Sequence, residues 1–141
     1  MSFVEIYPRE MILKRENDND KTASYLDMGL AVTENKITSK LYDKRNAFNF
    51  SVVRLPYKCS NIPSKMFYAT ISAEVLRIAR ATSEYIFFIQ SVHNLLKRMI
   101  KQGADVAGIN KALRKMINRH SSNFSKFART IEVIISDCCQ T

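Results

Sequence analysis

The pattern of this 141-residue chain predicts an α+β fold, mainly α: an N-terminal β-hairpin with short strands, then a bundle of three to four helices. Three observations carry that class. Between Leu26 and Tyr42 apolar and polar residues alternate with a period of two, the period of a strand with one buried face. From Ser64 onward the period lengthens to that of an amphipathic helix. Glycine and proline number only three each, too few for an all-β chain with many tight turns.

Taken in order, residues 3–7 read as a short strand ended by Pro8, and residues 10–14 as a second. The polar run from Arg15 to Thr22 reads as a surface loop. Leu26, Met28, Leu30 and Val32 then form one strand face, Thr33-Glu34-Asn35 a polar break, and Ile37, Ser39 and Leu41 the second strand of an antiparallel hairpin spanning 25–42. Phe48 to Val53 is an extended segment, and Leu55 to Ile62 a connector between Pro56 and Pro63. Asn61-Ile62-Pro63-Ser64 marks a helix start, because proline fits the first turn. That helix carries Phe67, Ile71, Val75 and Ile78 inward. The next opens at Ser83-Glu84, turns Ile86, Ile89, Val92, Leu96 and Met99 inward, and stops at Gly103. Asp105 caps a third helix, with Val106, Ile109, Leu113, Met116 and Ile117 inward. A fourth follows Ser121-Ser122 with Phe124, Phe127, Ile131, Ile134 and Ile135. The organisation is thus 1–58, a β-rich segment, and 59–141, a helical one.

The length fits one domain's worth of chain. The net charge of +9 is uneven. Residues 1–35 hold four Lys/Arg and seven Asp/Glu, whereas the rest holds 18 and six, a net +12. Positive charge gathered in this way is the footprint of a phosphate-backbone binder, and equally of a basic solvated face. There is no apolar run of membrane-spanning length and no signal-peptide pattern, so the expected location is intracellular, nuclear or cytoplasmic, with no membrane partner. Cys59, Cys138 and Cys139 lack metal-ligand spacing and read as reduced thiols. No metal or cofactor is expected.

Candidate chemistry is sparse. Asp18-Asn19-Asp20-Lys21-Thr22 spells the DxDxT of a phosphatase nucleophile, but Lys14 to Asn17 before it cannot form the buried strand that chemistry needs. As a calcium loop it lacks the glycine at position six and the glutamate at position twelve. His93 and His120 have no ligand or nucleophile partner in sequence. His120 beside Arg119 suits a helix C-terminus. Candidate phosphate contacts are Lys40, Lys44 and Arg45 after the hairpin, and Arg77 and Arg80, three apart on one helix face. The run Lys97, Arg98, Lys101, Lys111, Arg114, Lys115 and Arg119 is the best candidate for a phosphate track. Tyr42, Phe48 and Phe50 can stack on bases, although packing under the hairpin is the expected use.

Tyr25-Leu26-Asp27, then Lys40-Leu41-Tyr42-Asp43-Lys44-Arg45, Phe48-Asn49-Phe50 and Ser60-Asn61-Ile62-Pro63, resemble the region downstream of the catalytic motifs in retroelement reverse transcriptases, Penelope-like or related. The likeness extends upstream to Ile6-Tyr7-Pro8. Downstream it takes in Leu76 to Ala81, Leu95-Leu96, Lys101-Gln102-Gly103, Arg119-His120 and Ser125-Lys126-Phe127. The chain departs from that pattern at Met28, at Asn46-Ala47 and at Phe67-Tyr68-Ala69. The resemblance implies the end of a polymerase palm, whose hairpin steadies a primer end, followed by a thumb that holds template and primer. Its implied partners are RNA or an RNA–DNA duplex and the missing palm and fingers polypeptide, or another protein. The paired aspartates of nucleotidyl transfer are absent, since no Asp-Asp occurs, so no polymerase activity is expected of the chain alone. Asp27 reads as an outward strand residue or the partner of a cation such as Lys44. The alternative reading is a domesticated structural or protein-interaction subunit of a larger assembly.

Overall fold

In a computed structural model, residues 10–12, 14, 17, 19–50 and 52–140 are described. The strand expected at 3–7 lies outside them, and no strand forms at the described positions among 10–14. The chain runs through three strands, β1 (Thr22–Tyr25), β2 (Met28–Thr33) and β3 (Lys36–Leu41), into a 3₁₀ turn at Lys44–Ala47. Helices α1 (Ser64–Ala81), α2 (Tyr85–Lys101), α3 (Val106–Arg119), α4 (Ser121–Phe124) and α5 (Ile131–Cys139) follow, with a second 3₁₀ turn, Ser125–Phe127, between the last two. The fold is α+β, mainly α.

The expected hairpin is present, with Thr33 paired to Lys36 and Met28 to Leu41. Its two loop residues, Glu34 and Asn35, have φ of 42° and 68°. This is the left-handed pair that lets a two-residue loop follow the strand twist, without the glycine that usually supplies it. A third strand, β1, adds antiparallel to β2; it begins at Thr22, the end of the expected loop, and takes in Tyr25, the first residue of the expected hairpin. TASY carries no alternation to announce it. The Asn19 side chain starts it instead, accepting the N–H groups of Lys21 and Thr22 at 3.0 and 2.9 Å. Leu26, expected on the buried face, sits in the β1–β2 turn at φ 54° and is 81% exposed. The segment 48–53 forms no strand at its described positions.

No residue of β1, β2 or β3 is fully buried. A three-stranded sheet with so little burial needs a partner surface, and the helices supply it along the edge of β3. Ser39 and Ser83 exchange two hydrogen bonds there: the Ser83 N–H donates to the Ser39 carbonyl (2.9 Å), and the Ser39 N–H donates to the Ser83 side-chain Oγ (2.9 Å). The α1–α2 connection thereby covers the free strand edge. Leu41 packs onto the core from the same side.

The core is helical. Phe67, Ile71, Val75 and Ile78 of α1 are buried as their spacing predicts, against Phe88, Val92, Leu95, Leu96 and Met99 of α2 and Ile109, Leu113, Met116 and Ile117 of α3. Helices α1 and α3 run side by side in the same direction: Tyr68 lies against Gly108, and Ser72 Oγ donates to the Ala112 carbonyl (3.4 Å). A Cβ at Gly108 would come within 2.4 Å of the Tyr68 ring, so glycine permits the approach. Asp105 caps α3 as expected, accepting the Gly108 N–H at 2.9 Å, and Gly103 leaves α2 at φ 101°.

On the hairpin's expected buried face Val32 and Ile37 are also exposed (47% and 67%), and two inward assignments in the helices fail. Ile86 and Val106 lie in the first turns of their helices, beyond the reach of a neighbouring helix, and are 62% and 52% exposed. The expected fourth helix is also broken. Ala128 takes the left-handed conformation (φ 50°), and Thr130 caps a fresh start at α5. The break lets Phe124 and Phe127 of the α4 end meet Phe88, with centroids 6.0 and 4.9 Å apart. It also sends Lys126 to the C-terminus of α1, where its Nζ donates to the carbonyls of Ala79 and Thr82 (2.5 and 2.6 Å).

Candidate nucleic-acid interface

Cations that already hold a carboxylate are poor phosphate ligands. All six acids after residue 35 are in use. Glu84 holds Lys36 (2.6 Å), Asp105 holds Lys58 (2.7 Å) and Glu132 holds Arg114 (2.5 Å). Asp43 accepts Arg45 at 2.7 Å and Arg98 at 3.3 Å, and Glu74 accepts Arg77 at 2.9 Å with Arg54 at 3.7 Å. Asp137 accepts the Tyr85 hydroxyl (2.6 Å). Seven of the 18 Lys/Arg in this stretch are thus ion-paired, which leaves eleven without a carboxylate among the described residues.

The candidate contacts divide on this basis. Arg45, Arg77 and Arg98 belong to a buried-edge network that ties the sheet and the first 3₁₀ turn to α1 and α2. Arg45 grips Asp43 with two bonds, Nε to Oδ1 (2.8 Å) and Nη2 to Oδ2 (2.7 Å), the geometry guanidinium suits best. The Arg45 bonds hold the Asp43 carboxyl down at a pKa of about 2, and the same pairing raises Arg45. Arg77 also reaches Asp27 at 3.2 Å, so the partner of Asp27 is Arg77 rather than Lys44. Arg114 turns from its neighbours toward α5 and lowers the pKa of Glu132. Arg80 donates to Asn123 (3.3 Å), and Lys40 lies over the Phe87 ring (5.7 Å).

Lys44, Lys97, Lys101, Lys111, Lys115 and Arg119 have no ion-pair partner among the described residues, and all are exposed. Within the candidate run Arg98 and Arg114 are ion-paired, and the remaining cations fall into two groups. Lys97 and Lys101 share the outer face of α2. Lys111, Lys115 and Arg119, four apart, form a ridge on α3. That ridge borders a groove of about 810 Å³ between α1 and α3. Ala69, Ala73, Leu76, Ala112 and Met116 make its floor, and among the described residues no Asp or Glu lines it. Lys65, which sequence reading passed over, and His120 complete the basic rim. The spacing of Lys65 with Ala69, Ser72 and Leu76 on one α1 face is the signal that could have found it.

The other candidates have structural uses. Half-buried His93 has Nε2 2.6 Å from the Asp137 carbonyl oxygen, and His120 caps α3. Burial pushes the Cys138 thiol up to about 12, so it is an inert core residue. Among the described residues no group of three or more His, Cys, Asp or Glu is placed to hold a metal ion, and no helix is long and apolar enough to cross a membrane. Tyr42, Phe48 and Phe50 do not pack under the hairpin; all three are exposed, because β3 turns its edge rather than its face to the helices.

Neither a family model, nor a curated protein, nor a solved structure matches this chain.

Proposed function

We propose that the chain binds the phosphate backbone of RNA or of an RNA–DNA duplex along the α1–α3 groove. The observation that carries this reading is the α3 ridge: three cations at a four-residue spacing and a fourth across the groove, with no carboxylate partner and none between them among the described residues. Phosphates repeat along a strand, so a linear row of cations on a rigid helix meets several at once. The resemblance to reverse transcriptases supplies the context: a palm-end hairpin and a thumb without catalytic aspartates, holding template and primer for an active centre in other polypeptide. The test is titration of a fluorescent RNA–DNA duplex at several salt concentrations. Affinity is expected to fall linearly in log–log form, with a slope of about 0.9 per phosphate engaged. Lys111→Glu with Lys115→Glu is expected to weaken binding and flatten that slope by roughly two such steps, while Arg114→Glu, on the α5 side, changes it little. Salt-insensitive binding, or equal effects of all three changes, defeats the reading.

The second reading, a domesticated structural or interaction subunit, draws on exposed apolar side chains at Leu26 and Ile37 on the sheet and Ile86 on α2. Co-purification of a stoichiometric protein partner, lost on Ile37→Ser and Leu26→Ser, is its test.

A further inference from the structure

A second cleft, of about 450 Å³, lies between the C-terminal end of α2 and the connection from the first 3₁₀ turn to α1. Phe48, Phe50 and Tyr57 line it together with Arg98, Lys101 and Gln102. The two phenylalanine rings stack, with centroids 5.1 Å apart and planes at 27°. Yet Phe48 and Phe50 remain 46% and 62% exposed, and Tyr57 46%. Three aromatic rings kept open to water in one short connection form an apolar surface that the core does not use.

The charge around the rings is of one sign. Among the described residues no Asp or Glu lines the cleft. Lys101 has no carboxylate partner among the described residues, and Lys97 precedes it by one turn on the same face. Arg45 and Arg98 share the single Asp43 carboxylate, so one positive charge there is left over. The walls are also tied in place. Arg98 Nη2 donates to Asn46 Oδ1 (3.3 Å), Gln102 Nε2 to the Leu55 carbonyl (3.1 Å), and the Lys58 N–H to the Gln102 carbonyl (2.9 Å). The cleft therefore exists before any ligand arrives, which lowers the ordering cost of binding.

We propose that this cleft takes an unpaired base of a single-stranded nucleic acid, stacked on Phe50 with its phosphate toward Lys101. Aromatic faces combined with cations and free of acids match a ligand with flat π-surfaces joined by anions. An ordinary protein surface, carrying charges of both signs, would bring carboxylates and ammonium groups together and leave the ammonium groups unmatched. The inference rests on the nucleic-acid reading for the class of ligand and adds to it a single-strand site separate from the α1–α3 groove.

The test uses the full chain, a single-stranded RNA of roughly 12 nucleotides carrying 2-aminopurine, and a blunt RNA–DNA duplex. Phe50→Ala is expected to weaken single-strand binding about 5- to 150-fold, to abolish the 2-aminopurine fluorescence change, and to leave duplex binding unaltered. Phe50→Trp, which keeps a stacking face, restores both single-strand signals. Lys101→Glu reduces the salt dependence of single-strand binding. Because Phe50 and Lys101 are exposed, folding is checked by unchanged circular dichroism. If Phe50→Ala leaves single-strand binding intact while Lys111→Glu with Lys115→Glu still weakens the duplex, this site is wrong and the groove reading stands. If wild-type chain binds neither nucleic acid, both fall. If Phe50→Ala instead disperses a self-associated species in sedimentation, the cleft is a protein contact and the proposal is overturned.

Discussion

Asp43 is the residue on which most depends. It caps the first 3₁₀ turn through the Arg45 N–H, forms a two-bond pair with Arg45, and draws in Arg98 from α2. Its pKa near 2 is below the 3.8 of a free aspartate, so the stability it supplies is complete above about pH 4 and is lost as pH falls toward 2. Asp43→Asn should therefore lower stability at neutral pH by about 1–3 kcal/mol and flatten the decline between pH 4 and 2. Asp105 and Glu132 are also depressed, by Lys58 and Arg114 first, so part of the acid sensitivity remains in that variant. Urea titrations of both proteins across that range measure the difference. Lys126 acts in the opposite sense. Burial lowers its pKa, but its ammonium closes two carbonyls at the end of α1 beside buried Thr82. Lys126→Met keeps the stem and removes those bonds, with an expected loss of roughly 1–3 kcal/mol, read from the denaturation midpoint.

The α1–α3 pair sets the shape of the groove. Small residues on the facing surfaces, Ala69, Ser72 and Ala73 on α1 with Gly108 and Ala112 on α3, keep the groove open between the two helices and let cations stand at its margin. Gly108→Ala gains about 1 kcal/mol of helix propensity but forces the Tyr68 ring away, and with it the bond from Tyr68 to the capping Asp105. Overpacking of this kind costs about 1–3 kcal/mol, so a small net destabilisation is expected. Calorimetry of the variant reads the sign, and no loss at all would mean that the ring moves freely. The same helix shows why a basic run is not one surface. Arg114 and Lys115 are adjacent in sequence but about 100° apart around the axis, so one meets Glu132 of α5 and the other faces α1.

At the scale of the molecule, a helical core carries a sheet attached by one edge. Among the described residues every member of the buried core lies within 67–138, and the β-rich part adds only the half-buried Leu41 and Leu55 to it. A chain of residues 59–141 should accordingly keep a cooperative thermal transition and its helical circular dichroism. The expected stability loss is roughly 2–4 kcal/mol for uncovering the apolar surface under those two leucines. A non-cooperative melt would show that the sheet is part of the folding unit. The surplus of positive charge is likewise a property of the whole. With all six later carboxylates engaged, eleven cations have no ion-pair partner among the described residues, and five of them stand on two helix faces: Lys111, Lys115 and Arg119 on α3, and Lys97 and Lys101 on α2.

The helices were legible in the sequence because a stripe at 3.6-residue spacing is itself the surface that must be buried. Phe67, Ile71, Val75 and Ile78 needed no partner to be recognised, nor did the cap at Asp105 or the stop at Gly103. The hairpin was legible as a period of two, although the face that period marks is only partly buried: Met28, Leu30 and Leu41 are half-buried and Val32 and Ile37 stay exposed. What tertiary structure alone decided was the fate of each charge. Lys115 and Arg114 carry the same formal charge, as do Lys101 and Arg98, and only the placement of Glu132 and Asp43 consumes one of each pair and frees the other. The β1 strand and the exposure of Phe48 and Phe50 were also beyond local reading. They depend on which edge of the sheet meets the helices, and a strand's own pattern names its faces but not the side from which a neighbour arrives.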